Sequence, residues 1–98
     1  MKMSKLTESA RGKECQIRIV GVCNGNSETV VLCHLGGGGM GMKRDDMFGA
    51  FGCSSCHDAI DGRSKVTGYS TYELYAHHLE GVIRTQEIWL EDSSISHV

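Results

Sequence analysis

The run Cys53-Ser-Ser-Cys56-His57 constrains this chain more than any other feature. Two thiols separated by two residues sit on one tight turn and can share a single tetrahedral ion. The need for such a staple follows from the rest of the chain. Its 98 residues include thirteen glycines but only two phenylalanines and one tryptophan. That is little bulky apolar volume for a self-sufficient core, and chains of this kind rely on a disulfide, a metal or a partner subunit. Five cysteines are present to make up the deficit. The first residues carry no apolar stretch of the export-signal type, and no apolar run approaches the ~20 residues of a membrane span. The expected setting is therefore a reducing cytoplasm, with no membrane association. Cysteines there more often hold metal than pair with each other.

A second pair of thiols is needed to complete a four-cysteine site, and Cys15 and Cys23 bracket the Asn24-Gly25 turn. Their separation is wider than the two to four residues usual for zinc half-sites. A redox pair at Cys53 and Cys56, or scattered buried cysteines, are the competing readings. A structural zinc held by Cys15, Cys23, Cys53 and Cys56 is the favoured one. Cys33 is left over and reads as a small core residue.

The chain reads as one domain over residues 1–98, of α+β class. Residues 1–12 are expected to be a polar, flexible arm and residues 92–98 a polar tail. Cys15 to Val20 alternates apolar and polar residues, as a short strand does. Glu28 to His34 is β-branched and apolar, a second strand. Residues 35–45 hold a glycine run that cannot be ordered cheaply, and read as a long flexible loop. Met47 to Gly52 would return antiparallel to 28–34. Ser54 or Ser55 can cap a helix over Cys56 to Arg63. Between Thr71 and Leu90, Tyr72, Tyr75, Leu79, Val82, Ile83, Trp89 and Leu90 recur at helical spacing. They predict an amphipathic helix packed on the sheet by that face, with Gly81 a soft spot within it.

The histidines carry the chemistry. His57 opens the helix after Cys56 and Asp61 lies four residues on, so imidazole and carboxylate can converge on one divalent cation. His34 ends a strand just before the glycine loop, where an imidazole can act as a general base toward water. Charge supports a nucleic-acid partner only locally. The net charge is −2, but Lys2, Lys5, Arg11, Lys13, Arg18, Lys43, Arg44, Arg63 and Lys65 lie on the cysteine-bearing side of the sequence, while residues 67–98 hold Arg84 as their one Lys or Arg. A local basic face can guide a phosphate backbone, and an ordinary solvated surface explains the same charges equally well.

The order Cys…Cys…His34…Cys53-x2-Cys56-His57 resembles the zinc-containing branch of the HNH (ββα-metal) endonucleases. More closely, the chain is similar to the small nuclease family of lambdoid phages and prophages typified by YbcO. The residues carrying the likeness are Ala10 to Ile19, Gly21 to Asn26, Val31 to His34, Cys53 to Asp61 and Arg84 to Leu90. The resemblance implies a β-hairpin plus helix around a catalytic metal, with a structural zinc beside it and the long helix added at the C-terminus. It implies His34 as general base and His57 as the metal-binding histidine of the helix. Asp61 stands where many such nucleases carry a second histidine, and Asp46 is the residue nearest in place to the middle asparagine. Cys33 departs from the pattern, which often has a metal-ligating residue before the base.

The function so implied is metal-dependent hydrolysis of phosphodiester bonds in DNA, in phage or prophage DNA metabolism or recombination within the bacterial cytoplasm. Mg²⁺ or another divalent ion would serve at His57 and Asp61, and Lys43 and Arg44 would contact neighbouring phosphates. Two rivals stay open. One is a non-catalytic zinc module that binds nucleic acid or a protein; the other is a dithiol redox protein.

Overall fold

A computed structural model describes residues 5–35, 45–62 and 68–95. Its described elements make a small α+β fold in which a two-stranded hairpin is followed directly by a helix. The described residues begin with a short helix, α1 (Lys5–Glu8), and continue irregularly to a 3-10 turn over Ser27–Thr29, capped by the Asn26 side chain. Strand β1 (Val31–His34) pairs antiparallel with β2 (Gly49–Gly52), setting Leu32 opposite Phe51 and His34 opposite Gly49. Helix α2 (Ser54–Ile60) leaves the end of β2 after a single residue. Helix α3 (Thr71–Glu91) starts at a capping box in which Ser70 and Glu73 satisfy each other's backbone N–H groups. Strands β1 and β2 and helix α3 fall where the residue pattern puts them, the strands shortened by 3-10 turns over Ser27–Thr29 and Asp46–Phe48. Helix α2 starts two residues before Cys56 and ends at Ile60, short of Arg63.

Several expectations are corrected. Residues 15–20 form no strand. Arg18 adopts φ 54°, which turns the chain out of extended conformation, and one backbone bond from Gln16 N–H to the Phe51 carbonyl (2.7 Å) ties this stretch to β2. Ile17 and Ile19 are nonetheless fully buried, so the alternation reports burial without a ladder. The described part of the expected arm is anchored. Ala10 is buried, Leu6 packs on the core, and Trp89 Nε1–H donates to Ser9 Oγ at 2.8 Å. Cys53, not Ser54 or Ser55, caps α2. At the other end of the chain, Ile95 packs against the core, while residues 96–98 and the loop over 36–44 lie outside the described residues.

The face of α3 is also corrected. Tyr72, Tyr75, Leu79 and Ile83 are exposed, while His78, Gly81, Val82, Thr85 and Trp89 are buried. The helix approaches β2 through its small residues. A Cβ on Gly81 would stand 3.0 Å from Ile17 Cγ1, 3.1 Å from Ala50 Cβ and 3.1 Å from the Gln16 carbonyl. Thr85 Oγ1 accepts from Phe51 N–H at 3.0 Å, and Trp89 meets Phe51 edge-on with ring centroids 5.7 Å apart. Gly81 is therefore a packing requirement. Gly81→Val is expected to destabilise the protein by about 1–3 kcal/mol through overpacking, seen as a lower urea midpoint; unchanged stability would show that α3 does not lie this close.

Candidate active site and metal centre

Three chain segments bring the cysteines together. Cys53 follows β2, Cys56 lies in α2, and Cys15 and Cys23 come from the irregular stretch before β1. Their four Sγ atoms all lie within 4.8 Å of one another, and Cys23 and Cys53 are 3.8 Å apart. None is disulfide-bonded. A tetrahedral ion with metal–sulfur bonds of about 2.3 Å spaces its sulfurs about 3.8 Å apart, so four cysteines at this spacing could hold a metal ion. The Cys56 N–H donates to Cys53 Sγ at 3.5 Å. Asn24 Nδ2 reaches Ser54 Oγ and Ser55 Oγ, both at 3.0 Å, tying the Cys23 loop to the helix that carries Cys56. The two serines thus serve the cluster instead of the cap.

Electrostatics point the same way. A hydrogen bond from Cys56 brings the Cys15 thiol down to about 4, against the opposing effect of burial. The same bond and burial push Cys56 far above the ordinary thiol range. Burial, aided by Cys15, pushes Cys23 up as well. Full ionisation of four adjacent thiols needs a cation among them. Cys33 stands apart. Burial pushes it up to about 12, which makes it an inert core thiol.

The histidines form two pairs with carboxylates. His34, at the end of β1, lies 2.6 Å through Nε2 from Asp46 Oδ1. Asp46 opens the 3-10 turn before β2, so the hairpin register brings strand end and turn together. His57 Nε2 lies 3.1 Å from Asp61 Oδ2, one helical turn away. Both pairs are partly open to solvent: His34 and Asp46 side chains are 20% and 29% exposed, and His57 and Asp61 are 32% and 39%. Among the described residues, the cysteine cluster is the one group of three or more candidate ligands at metal spacing. Lys43 and Arg44 lie outside the described residues.

Two further residues reach this region without a signal in the sequence. His78, on the buried face of α3, donates its Nε2–H to the Cys33 carbonyl at 2.8 Å, immediately before His34. Burial lowers its pKa, and Asp61, His57 and His34 are among the groups it feels, so it stands within electrostatic reach of both pairs. Thr7 Oγ1 donates to Asp46 Oδ2 at 3.2 Å from α1. If the cysteine cluster is a metal centre, purified protein carries one tightly bound transition-metal ion per chain. Cys53→Ser then loses that ion together with its cooperative thermal transition, read by elemental analysis and calorimetry; a metal-free wild type that melts normally would refute it.

The family profile described as "Putative nuclease YbcO" matches residues 4–93. The chain is 47% identical over 96 residues to "Putative nuclease YbcO" of Escherichia coli K12, covering 95% of this chain and 98% of that protein. The same figures hold for "Putative nuclease ybcO" of Enterobacteria phage 82. A solved structure titled as that of a "putative bacteriophage protein" from Escherichia coli K-12 superposes with a TM-score of 0.76 at 44% identity, covering 89% of this chain and 98% of that one. With the family profile matched over residues 4–93 and a relative 47% identical over nearly the full length of both chains, the chain belongs to the YbcO family.

Proposed function

We propose that this protein is a metal-dependent endonuclease of the HNH (ββα-metal) type that hydrolyses phosphodiester bonds in DNA. The single observation that carries the proposal is the 2.6 Å pair between His34 Nε2 and Asp46 Oδ1 at the end of the hairpin. A carboxylate only accepts, so Nε2 carries a proton, and in the neutral ring the lone pair is then the one on Nδ1. A histidine oriented in this way by a carboxylate is built to take a proton from water. The family description, "Putative nuclease YbcO", and the hairpin-then-helix order agree with this reading.

In the proposed reaction His34 removes a proton as water attacks phosphorus, and the bond to the 3′-oxygen breaks, that oxygen taking a proton from solvent, to leave a 5′-phosphate and a 3′-hydroxyl. Asp46 holds the imidazole in the required tautomer and stabilises the imidazolium that forms. His57 and Asp61 would hold a divalent ion such as Mg²⁺. Their 3.1 Å spacing places imidazole and carboxylate close enough that both would reach one such ion. Such an ion supplies charge neutralisation at a phosphate oxygen and at the departing oxygen. Lys43 and Arg44, on sequence grounds, would contact flanking phosphates. Soft thiolate ligands suit zinc at Cys15, Cys23, Cys53 and Cys56, where its part is folding energy. Phage or prophage DNA metabolism is the proposed setting, consistent with the phage 82 relative.

The test is cleavage of supercoiled, linear and single-stranded DNA with Mg²⁺ or Mn²⁺. His34→Ala is expected to keep its fold and its cysteine-bound metal while losing about 10²–10⁴-fold in rate. Equal cutting by wild type and His34→Ala would remove His34 as the base, and an inert wild type on every substrate would leave a binding module instead.

A further inference from the structure

We infer that Thr7 is a positioning residue for the His34–Asp46 pair, making the N-terminal segment part of the catalytic apparatus. This rests on the reading of His34 as the general base. Asp46 uses its two oxygens differently: Oδ1 lies 2.6 Å from His34 Nε2, and Oδ2 accepts from Thr7 Oγ1 at 3.2 Å. The terminal torsion of an aspartate is broad and poorly fixed by its own rotamer preferences. Each hold on the carboxylate therefore limits its swing, and with it the swing of the imidazole it orients. A second hold at the other oxygen fixes the carboxylate plane, and with it the direction of the His34 Nε2–H and of the opposite Nδ1.

Thr7 is suited to that task. Its β-branched side chain is stiff about χ1, and the segment carrying it is anchored on both sides. Ser9 Oγ, two residues on, accepts from Trp89 Nε1–H at 2.8 Å and donates to the Leu6 carbonyl at 2.6 Å. Ala10 is buried and Leu6 packs on the core. On the far side of Asp46 the turn is held as well. Asp45 Oδ1 accepts from Met47 N–H at 3.0 Å, and Gln86 Nε2 donates to the Met47 carbonyl at 2.6 Å. The hydroxyl is thus delivered to Asp46 by a segment locked to α3, and Asp46 is presented by a turn locked to the same helix. Loss of a supporting hydrogen bond of this kind costs activity on the order of 10–100-fold in comparable sites.

The experiment compares wild type, Thr7→Val, Thr7→Ser and His34→Ala as full-length, metal-loaded proteins. Steady-state cleavage of a DNA substrate is measured alongside melting temperature and the ¹⁵N spectrum of the His34 ring. The expected result is that Thr7→Val, which keeps shape but loses the hydroxyl, lowers kcat about 10–100-fold with KM and melting temperature near wild type. Its His34 spectrum should shift from one tautomer to a mixture, and Thr7→Ser should restore both rate and spectrum. A fully active Thr7→Val with an unchanged His34 spectrum, beside an inert His34→Ala, would overturn the inference while leaving the base assignment standing. Equal losses of rate and melting temperature in Thr7→Val and Thr7→Ser would overturn it too, by showing a structural role only. A fully active His34→Ala would instead defeat the base assignment, and the catalytic part of the inference with it.

Discussion

The convergence of four sulfurs is the constraint on which the remaining structure depends. Cys15 and Cys23 belong to a stretch with no sheet of its own, held to β2 through the Gln16 bond and its buried isoleucines. Cys53 and Cys56 sit where β2 ends and α2 begins, with Cys53 serving also as the helix cap. Joining the pairs closes the irregular N-terminal half onto the hairpin and sets the angle at which α2 departs. That angle matters because α2 carries His57 and Asp61. A core this small, centred on Trp89, Phe51, Ile17 and Ile19, gains much of its definition from such a closure.

Helix α3 is the second organiser, and it works by approach distance. Gly81 and Thr85 let its backbone come close to β2, and the space between is filled by Ile17 and Ala50. From that position α3 reaches the site three times. His78 holds the Cys33 carbonyl beside His34, Gln86 holds the turn that presents Asp46, and Trp89 holds the segment that carries Thr7. The helix that looks like a scaffold in isolation thus supplies the supports behind the histidine–carboxylate pairs.

Much of this was legible in the residues. The hairpin, both later helices, the four-cysteine set and the family likeness were all readable, because each depends on local pattern: β-branched runs, a cysteine spacing, an i,i+4 pair. Asp46 was singled out only through the resemblance to HNH nucleases, in the place of the middle asparagine, and its contact with His34 emerged only from the structure. The misreadings have a common cause. The alternation over 15–20 and the apolar stripe of Tyr72, Tyr75, Leu79 and Ile83 are true local patterns, but they assume that apolar character decides contact. At Arg18 a positive φ overrode the first, and at Gly81 and Thr85 close backbone approach overrode the second. The arm over 1–12 looked polar because its anchors are one alanine, one leucine and one serine hydroxyl.

The amino-acid sequence by itself determined the chemical inventory: thiols at chelating spacing, an imidazole at a strand end, and an imidazole and carboxylate one helical turn apart. These follow from residue type and separation along the chain, which are local properties. Only the tertiary structure decided which thiols meet, which face of α3 is buried, and that Thr7 and His34 share Asp46 from 39 and 12 residues away. A hydrogen bond depends on ångströms and angles between groups that the chain brings together only after it has packed. No count along the sequence carries that information.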